Sequence, residues 1–285
     1  MTPPLVTPEW LQERLGDAGL RVVDCRYRLG EPGAGEALWR EAHIPGAAFM
    51  DLDGELAGPP GTRGRHPLPD AGVFEAAARR AGINGDTLVV AYDEAAEGGA
   101  ARLWWLLRHH GHTHVTVLDG GMRAWREEGA ELRGGEEEIE PGDFRVGPPD
   151  VSASTEELEG LGALPGHLAR KSDQPSRVLL DARTPERYRG ETEPIDPVAG
   201  RIPGAVNLPF GELAPEGCFL PPEELRARFE AAGVASGDQA VAYCGSGVTA
   251  CVVVLAAEVA GIGATRLYPG SWSEWCSLGL PAERG

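Results

Sequence analysis

A chain of 285 residues, 42% hydrophobic and 25% charged, has the length of about two ordinary domains and enough apolar residues to give each its own core, so a disordered chain is excluded. No apolar run reaches the roughly 18–20 residues that a membrane span needs. Acidic residues outnumber basic ones 44 to 26, and the net charge of −18 repels a phosphate backbone, so neither membrane nor nucleic acid is an expected partner and any anionic ligand needs a local positive site.

The first residues, MTPPLVTPEWLQERL, carry neither the basic nor the apolar region of a secretory signal, and a cytoplasmic location is expected. Five scattered cysteines, an odd count, suit no disulfide framework. Runs with strand character at Val22–Asp24, Thr87–Tyr92 and Val115–Leu118 alternate with helical patterns at Phe74–Arg80 and Ala100–His110. Residues 134–150 are rich in Gly, Pro and Glu without sustained periodicity. They read as a linker or an extended wrapping segment, which places a domain boundary near residue 145 and predicts domains over 1–145 and 146–285. Strand character returns at Val178–Asp181, Ala240–Tyr243 and Thr265–Tyr268, and helical character at Glu223–Ala232 and Val248–Ala260. Continuous apolar strands separated by helices predict an α/β fold, with a mainly parallel sheet flanked by helices in each half.

The two halves repeat one another. VVDCR (22–26), HIPGA (43–47), VVAYD (89–93), DGG (119–121) and Trp125 are answered in order by LLDAR (179–183), RIPGA (201–205), AVAYC (240–244), PGS (269–271) and Trp275. Asp24 and Asp181 stand 157 apart, Asp93 and Cys244 stand 151 apart, and Trp125 and Trp275 stand 150 apart. Near-constant offsets over so long a period indicate duplication of one globular unit rather than a solenoid.

The chemistry is expected where the halves differ. The first unit ends its strand at Tyr92-Asp93 and the second at Tyr243-Cys244, followed by Gly245-Ser246-Gly247-Val248-Thr249-Ala250 and an apolar helix. A strand, a short Gly-containing loop and a helix start form an anion cradle. The glycines permit positive φ and expose backbone N–H groups, and the helix N-terminus adds partial positive charge. A thiol there ionises readily and serves as a nucleophile. The bland alternative, a small buried hydrophobe at a strand end, is the ordinary role of a cysteine, and the Gly-X-Gly spacing argues against it. The bland reading does hold for Cys251 and Cys25, expected in the core, while Cys218 and Cys276 could be exposed. His109, His110, His112 and His114 span a helix end and the next strand without a carboxylate or cysteine among them, and no metal site is expected.

The segment 243–250, with RLWWLLRHHGH (102–112), LDGGMRAW (118–125) and YPGSWSEW (268–275), resembles the tandem-domain rhodanese family, in particular its 3-mercaptopyruvate sulfurtransferase branch. The resemblance covers nearly the whole chain. It implies two tandem rhodanese-like domains, the N-terminal one non-catalytic and the C-terminal one catalytic. It further implies sulfur transfer through a Cys244 persulfide by ping-pong chemistry, from a small-molecule donor to a small thiol, a thioredoxin-like protein or cyanide, with no metal or organic cofactor. Thiosulfate-using members have Cys-Arg-Lys-Gly-Val-Thr, whereas Gly245 and Ser246 are neutral, which favours a singly charged carboxylate over a dianion. By resemblance, Arg187 grips that carboxylate, Arg183 with Asp181 forms a positioning ion pair, and Gly245, Gly247, Val248 and Thr249 line the donor site. The branch also implies a Ser246-His66-Asp53 relay assembled across the domain interface, with His66 and Asp53 from the N-terminal unit. Arg201 stands where the first unit has His43, and facing the site it would restore positive charge. Thiosulfate remains the close alternative donor. A non-enzymatic scaffold is disfavoured by the retained cysteine, and a Cys-X5-Arg phosphatase by Ala250 at the arginine position.

Overall fold

The computed structural model describes residues 2–149, 152–162, 177–235, 239–263 and 265–285. The chain folds into two compact units. The first comprises Met1–Pro59, Leu68–Asp150 and Glu216–Phe219, the second Pro60–Pro67, Val151–Pro215 and Leu220–Gly285.

In the first unit, strands β1 (Leu5–Val6), β2 (Leu20–Asp24), β3 (Ala48–Phe49), β4 (Leu88–Tyr92) and β5 (Val115–Leu118) form one parallel sheet in the order β1-β5-β4-β2-β3. Val89 to Tyr92 of the central β4 are all buried, because a parallel sheet covered by helices on both faces has no wet side. Leu11, Ile44, Tyr92, Met122 and Trp125 pack one face of this sheet. The second unit repeats the arrangement with β6 (Arg177–Asp181), β7 (Val206–Asn207), β8 (Gln239–Tyr243) and β9 (Arg266–Leu267), parallel in the order β7-β6-β8-β9. Its corresponding core holds Leu179, Ile202, Tyr243, Trp272 and Trp275. The expected α/β class and parallel sheets are what the chain adopts.

Observed helices run over Ala71–Arg80, Gly99–His109, Pro222–Ala231 and Ala250–Val259, each within a few residues of the predicted span. The first starts early because Asp70 caps it, accepting the N–H groups of Gly72 and Val73. The last starts late because Gly247, at φ +80°, keeps the residues after Cys244 in a loop. The two-residue strands β1, β3 and β7 were not legible as elements, since two residues carry no periodicity, and the helix Ala34–Glu41 opens on Gly33 without a side-chain cap to mark its start.

The domain limits differ from the predicted 1–145 and 146–285. Residues 134–147 wrap the first unit rather than link. Phe144 is buried, its N–H bonds Ile83 O at 3.0 Å, and the Gly147 N–H bonds His110 O at 2.9 Å, so the first unit extends beyond residue 145. Asp150, at the end of that stretch, lies outside the described residues. Residues 60–67 belong with the second unit because Ser277 Oγ donates to Thr62 O at 2.8 Å and the Arg65 N–H to Ser273 Oγ at 3.0 Å. Among the described residues no helix is long and apolar enough to cross a membrane.

Candidate active site

In each sheet the chain leaves the two central strands toward opposite edges: β6 crosses to β7 and β8 to β9. Loops at the carboxyl ends of two such strands diverge and open a crevice between them, where open parallel sheets place their ligands. The loop after β6 carries Arg183 and leads to the helix Pro185–Arg189 with Arg187, and the loop after β8 begins with Cys244.

A buried network holds both strand ends. Asp181 receives Arg183 Nη2 at 2.7 Å and Nε at 3.0 Å, and accepts the Tyr243 hydroxyl at 2.7 Å. Tyr243 in turn accepts the Ile202 N–H at 3.1 Å, and Arg183 Nη2 reaches Gly200 O at 2.7 Å. Burial works against the Arg183 charge, yet the Asp181 contacts outweigh it and raise the guanidinium pKa further. Burial, reinforced by Asp181, holds the Tyr243 hydroxyl well above its ordinary pKa, so it stays a neutral donor. The first unit repeats the device with Asp24, Arg26 and Tyr92 at 2.6 Å for both the Arg26 Nη2 and Tyr92 hydroxyl contacts. Because Tyr243 immediately precedes Cys244, this network locates the thiol.

Cys244 is 2% exposed, and its Sγ accepts the Gly247 N–H at 3.1 Å. Of the two loop glycines, Gly247 uses the positive φ that glycine permits and Gly245 does not. A Cβ on Gly247 would stand 2.2 Å from Pro269 O, so the position is closed to other residues for two reasons. Gly245 serves close approach instead. A Cβ there would meet Arg65 Nη2 at 3.1 Å and the Arg187 guanidinium at 3.5 Å. Val248 is buried, and Thr249 stands at the start of the helix without a side-chain cap bond.

Ser246 is 7% exposed and its hydroxyl lies 2.7 Å from His66 Nδ1, so the expected serine–histidine pair is assembled within the second unit. Asp53, expected as the third member, is an exposed residue of the first unit.

Arg187, expected to grip the donor carboxylate, is itself paired with two carboxylates. Its Nη2 lies 2.6 Å from Glu193 and 3.2 Å from Asp196, and its Nε 3.2 Å from Glu193. Glu193 also meets Arg183 at 3.3 Å, and although burial opposes it, the Arg187 bonds keep its carboxyl below the ordinary range. Arg201 stacks on Tyr188 at 4.4 Å and pairs with Glu283, so its charge is matched by the C-terminal residues. The other cysteines lack the loop setting: burial raises the Cys25 thiol well above its ordinary value and pushes Cys276 up to about 12, and Cys251 donates to Gly247 O. Of the histidines, His109 stacks on Trp105 and His112 Nε2 lies 3.0 Å from Thr87 O.

Sequence reasoning missed Arg65, Glu193, Asp196 and Ser271. Ser271 has φ +54°, a region costly for a residue with a Cβ, and its hydroxyl donates to Tyr268 O while accepting the Cys244 N–H at 3.1 Å. The first unit has Gly121 at this point of the repeat, at φ +57°. The serine was therefore legible as an exception within the DGG/PGS pair. Replacing Ser271 by Ala or by Gly removes the same hydroxyl, but Ala keeps the strained Cβ. In urea unfolding Ser271→Gly should be the more stable by about 1 kcal/mol, while both lower donor turnover alike; equal stabilities would show that φ is not strained.

Asp93, the counterpart of Cys244, fills its own loop. Its carboxylate accepts N–H groups from Gly98 at 2.9 Å and Ala100 at 3.2 Å, and burial raises its pKa against those bonds. The first cradle thus holds a carboxyl group of the chain itself where the second holds a sulfur.

The rhodanese-like domain profile matches residues 7–128 and again 164–278. A Pseudomonas aeruginosa protein provisionally named 3-mercaptopyruvate sulfurtransferase is 46% identical over 95% of this chain and 94% of its own length. A Mycobacterium tuberculosis protein provisionally named thiosulfate sulfurtransferase SseB is 42% identical over 90% and 87%. Among solved structures, SseA from Escherichia coli, described as a 3-mercaptopyruvate sulfotransferase of rhodanese fold, superimposes with a TM-score of 0.80 at 31% identity, over 95% of this chain and all of that one.

Proposed function

The chain belongs to the rhodanese-like family and is a sulfurtransferase, and from that premise we propose that it takes sulfur from 3-mercaptopyruvate onto Cys244 and passes it to a thiol or to cyanide. The Cys244 thiolate attacks the donor sulfur. An S–S bond forms, the C–S bond breaks, and its electron pair leaves as the enolate of pyruvate, which takes up a proton on carbon. The terminal sulfur then rests on Cys244 as a persulfide, stabilised by loop N–H groups. An acceptor thiolate attacks that outer sulfur and releases the Cys244 thiolate, which completes a ping-pong cycle.

The observation that carries this reading is the loop itself, in which the Cys244 sulfur accepts the Gly247 N–H and the next polar residue, Ser246, is bonded to His66. In this reading Ser246, oriented by His66, donates toward the donor's keto oxygen as the enolate develops. Arg187 and Arg65, which both approach Gly245, receive the carboxylate, and Arg183 positions Arg187 through Glu193. The first unit, with Asp93 in place of the cysteine, makes no persulfide.

Turnover of 3-mercaptopyruvate and thiosulfate with cyanide as common acceptor tests the donor. The wild-type protein should favour 3-mercaptopyruvate. Ser246→Ala should lower that rate by about 10²-fold or more and leave thiosulfate nearly unaffected, because sulfite departs without a keto group to polarise. Faster wild-type turnover of thiosulfate would reverse the donor assignment.

A further inference from the structure

The arginines at the Cys244 loop are not left as a simple positive patch. Arg65 and Arg187 both reach Gly245, and one carboxylate joins them: Asp196 Oδ1 accepts Arg65 Nη1 at 2.7 Å, and Oδ2 accepts Arg187 Nη2 at 3.2 Å. Its side chain is 3% exposed. Glu193, by comparison, is also built into its own turn, where it accepts the N–H groups of Ile195 and Asp196. The bonds of the Asp196 carboxylate, among the described residues, go to the two guanidiniums. Arg65 Nε is buried without a partner among the described residues, so this guanidinium retains donor capacity beside the loop. Arg65, Arg183 and Arg187 thus face Asp181, Glu193 and Asp196, three cations against three anions.

From this balance we infer that Asp196 is a specificity-determining residue that sets the mouth of the site against dianionic sulfur donors. The inference rests on the sulfurtransferase reading above. A carboxylate fixed between the two arginines leaves their N–H forks to orient a ligand but cancels part of the field that would attract one. Coulomb energy is linear in ligand charge, so the repulsion from Asp196 weighs twice as heavily on a dianion as on a monoanion at the same place. Thiosulfate carries two charges, 3-mercaptopyruvate a single carboxylate. The neutral Gly245-Ser246 pair removes attraction for a dianion, and Asp196 adds repulsion.

The test is the ratio of kcat/KM for thiosulfate to that for 3-mercaptopyruvate, in the full chain with cyanide as acceptor. Asp196→Asn keeps shape and hydrogen-bonding capacity and removes the charge. Where it changes 3-mercaptopyruvate by about 3-fold, it should change thiosulfate by about 10-fold in the favourable direction, so the ratio rises about 3-fold. Asp196→Glu should return it to the wild-type value. Arg65→Gln, at a partly exposed residue, should move the ratio the opposite way and decides the matter should Asp196→Asn not fold. Where wild-type thiosulfate turnover is too slow to measure, its inhibition constant against 3-mercaptopyruvate serves as the dianion readout. A ratio unchanged or lowered by Asp196→Asn, or raised by Arg65→Gln, overturns the inference while the reading of the enzyme stands. Absence of turnover with both donors in the wild-type protein overturns that reading, and this inference with it.

Discussion

Incubated with 3-mercaptopyruvate and analysed as the intact chain, the wild-type protein should gain the mass of one sulfur atom, and Cys244→Ser should gain none. Its turnover should fall by about four orders of magnitude or more, the scale on which removing a nucleophile acts. Serine preserves the size of the side chain, but a hydroxyl at this place has neither the acidity of a thiol nor the ability to hold a second sulfur. The remaining cysteines cannot substitute. Burial holds the Cys25, Cys218 and Cys276 thiols above the ordinary range, and Cys251 is spent on Gly247 O inside the core. The added mass should leave on treatment with cyanide or a small thiol, which separates a persulfide from irreversible oxidation. Mass gained by Cys244→Ser at the wild-type rate would place the carrier elsewhere and end the proposed cycle.

The largest effect on stability is expected at Asp181. Its carboxylate is fully buried between Arg183, which is 1% exposed, and the Tyr243 hydroxyl. Asp181→Ala leaves that guanidinium with Glu193 at 3.3 Å and the Gly200 carbonyl, and leaves the tyrosine without its acceptor. Breaking one side of a buried pair costs about 3–5 kcal/mol, because the stranded charge stays desolvated. Asp24→Ala should cost a similar amount in the first unit, where Arg26 and Asp24 are both fully buried. The two variants should part company in chemistry. Asp181 fixes the strand end that presents Cys244, so the folded fraction of Asp181→Ala should alkylate at that thiol at an altered rate. Asp24 holds, through Tyr92, the strand end that carries Asp93 in place of a cysteine, and its variant should keep the wild-type rate at Cys244. Urea unfolding and iodoacetamide kinetics read the two quantities separately. A loss below about 1 kcal/mol for Asp181→Ala would mean that water, not the ion pair, satisfies Arg183.

The chain alone determined the fold class, the duplication and the position of the loop cysteine. These are written in local order: apolar strand runs, helix periodicity, and the one strand end where aspartate in the first half is matched by cysteine in the second. Ser246 and His66 could be named from family pattern, but their 2.7 Å contact could not, since they are 180 residues apart and no periodicity records such a pairing. Arg65 stands beside His66 in GRHPLP and nothing in the sequence singles it out, because charge on a loop says nothing about which loop lies opposite. The same holds for Asp196, whose meaning comes only from two arginines that the fold draws to one carboxylate, and for Arg201, whose charge is answered by the last residues of the chain. Backbone periodicity and local turn chemistry are properties of neighbours in sequence and so survive in the one-dimensional text. Electrostatic balance depends on distances between residues far apart in the chain, and those exist only once the parallel sheets have brought their loops to one end.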